Sequence, residues 1–467
     1  KRGYRLVAPV SSPGAEFKRK TSTGHVAFAP RRTGFWVGVG ALSVLVIVLT
    51  SVTIFPELGL WWTPVESPGT EITPNSIAVL PFDNLSGDPS QEYFADGMTD
   101  DLITGLAKNP DLFVIARDST FFYKGRPTDI QSIAEKLKVR YFLRGSIRRA
   151  GEDVHINTQL IDTETGSHLW AERYDGQMDD VFGMQNNVIR NILATLKKRT
   201  AIEVQAGNQQ QETRNPDAYD YFLHGRNRFF QFANKEDNRK ARELYRKAID
   251  LDPDFAMAYA MLAWTHAFEA MNGWSEERDA SLSHAHALAT HAISLDEALP
   301  VAYFVTGLVY RERGEYVKAL VEAEKAIALD PNYANAHVLL ATLLYYAGRP
   351  QEGLYKIKKA MKLNPYYPYN YPFHLGQAYF ILGKYPEAIE ALEQGLGSNP
   401  SSERMRVWLA AAYAQSGRED DARWEAEQVL TLNPDFSLER IRQAFPFKDP
   451  ADIARFLDGL RIAGITQ

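Results

Sequence analysis

Residues 35–55 read FWVGVGALSVLVIVLTSVTIF, 21 positions without a charge or a proline. A helix rising about 1.5 Å per residue crosses a hydrocarbon core of roughly 30 Å over that length. A core helix keeps a polar face, and the apolar part of a cleaved signal peptide runs to only about 7–15 residues. The run therefore predicts one transmembrane helix. Trp36 lies at one end and Trp61 and Trp62 just past the other, where indole rings favour the interface. After a proline-containing spacer at 56–75 the period changes. Short apolar runs at 76–82, 112–115, 140–149, 154–162 and 167–174 have strand length, the last three at hairpin spacing. Helical spacing covers 93–107, 130–137 and the stripe from Val181 to Leu196. This order predicts an α/β domain over 76–198, a mixed sheet with helices packed on it.

A polar linker at 199–214 leads into a third pattern. From 215 to 435 the spacing is helical throughout. Pro253, Glu297 (where a proline is expected), Pro331, Pro365, Pro400 and Pro434 close successive units at intervals of 44, 34, 34, 35 and 34 residues. The longest unit carries its extra residues around Met271. Small residues recur at matching stations, such as Gly307, Ala319, Ala323 and Ala326 in one unit and Ala410 and Ala422 in another. Larger side chains there would overpack closely crossing helices by about 1–3 kcal/mol. Residues 436–467 predict helices that cap the array.

Charge sets a direction. Residues 1–34 hold eight Lys or Arg and one acid, Glu16, and no further base appears until Lys108. Basic flanks stay on the cytoplasmic side. The expectation is a single pass through the inner membrane, with the N-terminus cytoplasmic and the later domains periplasmic. The formal charge of −6 leaves the bulk beyond the anchor acidic, which argues against a nucleic-acid surface there. With no cysteine, disulfides, thiol catalysis and zinc–thiolate sites are excluded. Because the chain starts at Lys1, its true start is expected to lie upstream.

The opening KRGYRLVAPV resembles the last strand and wing of the winged-helix DNA-binding domain of OmpR/ToxR-type regulators. A flexible linker at 11–34 and an anchor then follow in the order of ToxR- and CadC-like regulators. The resemblance implies that 1–10 end a truncated DNA-binding domain. Lys1, Arg2, Tyr4 and Arg5 would then sit on the DNA backbone, which positions a protein without reading sequence. The runs IAVLPFDNLSGDPSQEYFADGMTDDL, LFVIARDSTFFYKGR and GSIRRAGEDVHINTQLIDTETGSHLWAERYDG resemble the TolB-like N-terminal domain. That domain is found between anchor and repeats in such regulators and in certain adenylate cyclases, and the resemblance implies no catalysis. A 34-residue period of paired helices identifies 215–435 as a solenoid of tetratricopeptide repeats. In that family the first helix of each unit lines a concave face at its second, fifth, ninth and twelfth positions. This implies a protein or peptide partner at Asn335, Thr342 and Tyr345 in one unit and at Asn370, Phe373 and Gln377 in the next.

Other chemistry is sparse. Asp96, Asp100 and Asp101 form a carboxylate cluster that the dipole and free amides of a helix's first turns would account for. On a helix, His284 and His291 share a face about 10.5 Å apart, too far for one zinc ion. Gly38 and Gly40 lack the strand–turn–helix setting of a dinucleotide site. The expectation is a non-enzyme without cofactor or metal, a membrane-anchored transcriptional regulator. Its outer domains would sense or bind a partner and signal to an N-terminal DNA-binding domain, with a homodimer kept as an option. The alternatives are the non-catalytic C-terminal part of a membrane-associated class III adenylate cyclase, and an envelope interaction scaffold.

Overall fold

The computed structural model describes residues 72–126, 129–199, 213, 215–231, 234–445 and 447–466. The expected transmembrane helix at 35–55 and the expected DNA contacts Lys1, Arg2, Tyr4 and Arg5 lie outside the described residues. Among the described residues no helix is long and apolar enough to cross a membrane.

The first part of the structure runs β1 (Thr73–Val79), β2 (Asp83–Asn84), α1 (Glu92–Ala107), β3 (Phe113–Val114), α2 (Arg117–Phe121), α3 (Ile130–Leu137), β4 (Val139–Ala150), β5 (Asp153–Asp162), β6 (His168–Gln177) and α4 (Val181–Lys197). The sheet order is β3-β1-β4-β5-β6, with β2 added alongside β4. β1 is parallel to both β3 and β4, while β4, β5 and β6 form an antiparallel meander. The mixed sheet is thus present, joined by two pieces, β2 and α2, too short to show a period in the sequence. Strand alternation separates the layers. Ile77 and Val79 of β1 and Tyr141 and Leu143 of β4 enter the core with α1 and α4. Ala78 and Phe142, between them, turn to the other face and pack on Ile133 and Leu137 of α3.

Six helix pairs follow: α5 (Pro216–Gln231) with α6 (Lys235–Leu251), α7 (Ala256–Met271) with α8 (Arg278–Leu295), α9 (Pro300–Glu312) with α10 (Tyr316–Leu329), α11 (Ala334–Tyr346) with α12 (Pro350–Leu363), α13 (Asn370–Ile381) with α14 (Tyr385–Ser398), and α15 (Glu403–Gln415) with α16 (Glu419–Leu432). The extra residues of the second pair go into both helices, which have 16 and 18 residues where the third pair has 13 and 14, and into the loop between them, 272–277 against 313–315. Later pairs turn on Gly314, Gly348, Gly383 and Gly417, at φ between +77° and +80° except for +71° at Gly383. A side chain there would be strained in the left-handed region. Each second helix ends on an Asx residue: Asp252, Asp296, Asp330, Asn364, Asn399 and Asn433.

Two further helices, α17 (Leu438–Ala444) and α18 (Pro450–Ile462), close the chain. Phe456 stacks on Trp408 of α15 with ring centres 4.2 Å apart. Gly459 approaches α15 so closely that a Cβ would lie 2.9 Å from the Ala411 carbonyl oxygen. Gly459→Leu is therefore expected to lift α18 from α15 at a cost of about 1–3 kcal/mol in a denaturant melt. Amide exchange across 403–415 should accelerate, and an unchanged melt and exchange pattern would refute this contact as a support of the last repeat.

Candidate functional site

The α/β domain lies against the first helices of the repeats, the surface on which a partner was expected. Gly97 of α1 meets α5 so tightly that a Cβ would stand 2.6 Å from Leu223. Asn332, buried in the loop before α11, uses its whole amide across this boundary. Its Nδ2 donates to the carbonyls of Ala107 and Leu112, each at 2.9 Å, and its Oδ1 accepts from the Val114 N–H at 3.2 Å. The Ala116 N–H donates to the Leu363 carbonyl at 2.7 Å. The Ser119 hydroxyl donates to Asn364 Oδ1 and accepts from the Tyr366 N–H at 2.8 Å. Tyr366 also stacks on Phe122, ring centres 4.0 Å apart.

A buried charge cluster ties the same two parts together. Arg226 of α5 places Nη1 2.6 Å from Asp101 Oδ1 and Nε 3.3 Å from Asp100 Oδ2, and its Nη2 donates to the Gly97 carbonyl at 2.7 Å. Asp101 also accepts from the Tyr219 hydroxyl and from Gln185 Nε2. Burial pushes the Asp100 carboxyl up, against the pull of Arg226 and Arg117. Burial draws the Arg226 guanidinium down, but Asp101 and Asp100 outweigh it and hold it above its ordinary value. The helix-dipole account of these acids is thereby corrected. α1 begins at Glu92, so Asp100 and Asp101 lie beyond its first two turns, and their partners come from other elements. Asp96 likewise pairs with Lys124.

Between α1, the start of α2 and the first helices of five repeats a cavity of about 180 Å³ remains. Ile103, Met257, Met261 and Trp264 give it apolar walls, and Arg117 and Asn335 bring polar groups to its surface.

Of the six residues expected to meet a partner, Asn335 lines this cavity and accepts from the Tyr371 hydroxyl at 3.2 Å. Asn370 begins α13 and is half-buried. Thr342, Tyr345, Phe373 and Gln377, expected to meet a partner on the concave face, are all buried. The Tyr345 hydroxyl points to Thr342 Oγ1 and the His374 carbonyl, each at 3.4 Å, and a Cβ on Gly353 would lie 2.8 Å from its ring. Gln377 Oε1 meets His374 Nδ1 at 2.9 Å and its Nε2 donates to the Tyr346 hydroxyl at 3.4 Å. Phe373 packs in the core of the last repeats, with the Arg404 guanidinium 5.3 Å above its ring. The neighbouring repeat, rather than solvent, covers these positions. The three histidines point to different partners: His284 to His266, His286 to Tyr310 and His291 to Tyr259. Among the described residues no group of three or more His, Asp or Glu is placed to hold a metal ion. Sequence reasoning missed Arg226 and Asn332, whose partners lie far away along the chain, and Arg117 at the cavity wall. One hint existed in Phe222, Arg226 and Phe230, a spacing of four that sets a charge inside an apolar stripe.

Residues 73–192 match the family model of the HilA/YgeH-like transcriptional regulator, second domain. Tetratricopeptide-repeat models match 232–255, 244–279 and 373–435, and the helix pairs are such repeats. The protein "Putative adenylate cyclase 3" of Rhizobium meliloti is 41% identical over 251 residues, 54% of this chain and 42% of that protein. The transcriptional regulator HilA of Salmonella typhimurium is 21% identical over 303 residues, 64% of this chain and 53% of HilA. The chain spans about half the length of the curated relatives it matches. Among solved structures, YrrB, described as a tetratricopeptide-repeat protein with an unusual peptide-binding site, is 22% identical with a TM-score of 0.31, covering 42% of this chain and 94% of that one. The Cut9–Hcn1 hetero-tetramer of the anaphase-promoting complex is 19% identical with a TM-score of 0.41, covering 59% of this chain and 46% of that one.

Proposed function

We propose that residues 72–466 form the non-catalytic sensing body of a transcriptional regulator, held to the inner membrane through 35–55, with 1–10 ending a winged-helix DNA-binding domain. The observation that carries this reading is the match of 73–192 to the second domain of HilA/YgeH-like regulators, over the residues that fold as the α/β domain. The winged-helix and TolB-like parts of the proposal stand on the sequence motifs quoted above. In this reading a protein or peptide partner engages the repeats through surface still open, including Asn370. The α/β domain, joined to the repeats by Arg226 and Asn332, then moves with them as one piece. A partner's effect would leave the body at the N-terminal end of β1, towards the membrane.

A second reading has its own support, the 41% identity to a protein named as an adenylate cyclase. There the same body would regulate a cyclase domain encoded upstream. One experiment separates the two. The complete reading frame, including the codons before Lys1, is expressed in a strain lacking both the native gene and endogenous cyclase activity. The regulator reading expects a helix-turn-helix upstream, promoter fragments retained by the protein, and no cyclic nucleotide. Accumulation of cyclic nucleotide without DNA retention would replace it with the cyclase reading.

A further inference from the structure

We propose that the cavity between α1 and the repeats binds a small monocarboxylate with an apolar body of about one ring, anchored by Arg117. The inference goes beyond the sensing role above and does not depend on it. Arg117 is largely buried, its side chain 16% exposed. Among the described residues its guanidinium makes no hydrogen bond, and its Nε is buried without an acceptor. Asp100 Oδ1 stands 3.7 Å away, beyond hydrogen-bond reach, and Asp100 is already engaged by Arg226 at 3.3 Å. Phe121 and Phe230 lie 3.9 Å and 5.0 Å from the guanidinium carbon, so rings rather than acceptors surround it. A planar fork of five N–H donors matches a carboxylate, and the ion pair with Asp100 at 3.7 Å leaves those donors without a hydrogen bond, which is costly while buried.

The remaining polar groups narrow the choice. Asp100, Asp118 and Asp330 share the cavity wall and would repel a doubly charged phosphate more strongly than a single carboxylate. Asn335 gives its oxygen to Tyr371, which leaves its amide N–H₂ to donate to a ligand. The same lining carries Ile103, Met257, Met261 and Trp264, and methionine adapts to irregular apolar shapes. An apolar cavity of about 150 Å³ takes benzene. At about 180 Å³ this one has room for a ring and a carboxylate.

The test uses the full chain in detergent, titrated calorimetrically with benzoate, benzamide and benzylamine. Benzoate is expected to bind with a Kd of about 1 mM or tighter, and the neutral and cationic analogues at least about tenfold more weakly. Arg117→Gln should weaken benzoate about tenfold or more, as loss of a charge-assisted pair does. Met261→Trp, which fills the cavity, should abolish binding, while Met261→Leu should retain it. The Met261 pair decides the matter even if Arg117→Gln folds poorly. The proposal is overturned if benzoate fails to bind below about 10 mM, if benzamide binds as tightly, or if the folded Met261→Trp protein binds benzoate like the original chain.

Discussion

Arg226→Met is expected to loosen the α/β domain from the repeats and to cost about 3–5 kcal/mol. The substitution keeps most of the side chain's volume, so the loss comes from charge rather than from a void. Asp100 and Asp101 are adjacent in α1, their side chains only 13% and 9% exposed, and Arg226 forks between them while also donating to the Gly97 carbonyl. Removing one member of such a cluster strands the others, whereas removing all the charges together is close to neutral. The triple substitution Arg226→Met, Asp100→Asn, Asp101→Asn should therefore recover much of what Arg226→Met loses. Arg226→Lys should recover little, because an ammonium cannot reach two carboxylates and a carbonyl in one plane. The loss should also shrink towards acid pH, because burial already pushes the Asp100 carboxyl up and protonation removes its stranded charge. Denaturant unfolding followed by two probes, with protease sensitivity of the α/β domain, measures this. A single-mutant loss below about 1 kcal/mol would show that the cluster does not hold the two parts together.

Asp330→Asn is expected to stabilise the protein by about 2–3 kcal/mol at pH 7.5 and to do almost nothing at pH 4. Asp330 ends α10 beneath the docked α/β domain, and burial pushes its carboxyl from 3.8 up to about 6, against the opposing hydrogen bond from the Asn332 N–H. A folded-state value above the unfolded one means that the folded protein holds this proton more tightly. Stability from that proton is fully present below about pH 4 and is lost as pH rises through about 6. Above that pH the carboxylate stays charged while buried, with no ion pair among the described residues. Asparagine keeps the oxygen that accepts from Asn332 at 2.8 Å and carries no charge. The later repeats already use it at this station, as Asn364, Asn399 and Asn433. Unfolding free energy measured from pH 4 to pH 8 should fall more steeply for the original chain than for the variant. Parallel curves would mean that Asp330 is not held in this way.

Local order in both parts was readable from neighbouring residues. The spacing of Pro331, Pro365, Pro400 and Pro434 gives helix pairs because each unit has to bury the same stripe against the next. The alternation in 154–162 gives a strand because successive side chains point to opposite faces. The elements β2 and α2 escaped because two and five residues cannot display a period. The candidate site was read far less well. Position counting placed Thr342, Tyr345 and Gln377 on a groove from each unit alone, but His374 crosses to Thr342 and Tyr345 from the next unit and Tyr346 to Gln377 from the one before. Asp100 and Asp101 look like ordinary helical acids until Arg226 arrives from 125 positions away in the case of Asp101.

The sequence by itself determined the kinds of element, their order, the length of the repeat and the absence of thiol chemistry. Each of these depends on residues a few positions apart, where backbone geometry forces side chains into fixed relations. Only the tertiary structure decided that the α/β domain packs on the first helices of the repeats. It also decided that Asn332 holds β3 there, and that the Arg117 Nε, among the described residues, is buried without an acceptor at the wall of a cavity. These are contacts between residues 100 to 200 and more positions apart. They are set by which surfaces fit in shape, charge and hydrogen bonding once the elements exist, and no local period along the chain records that fit.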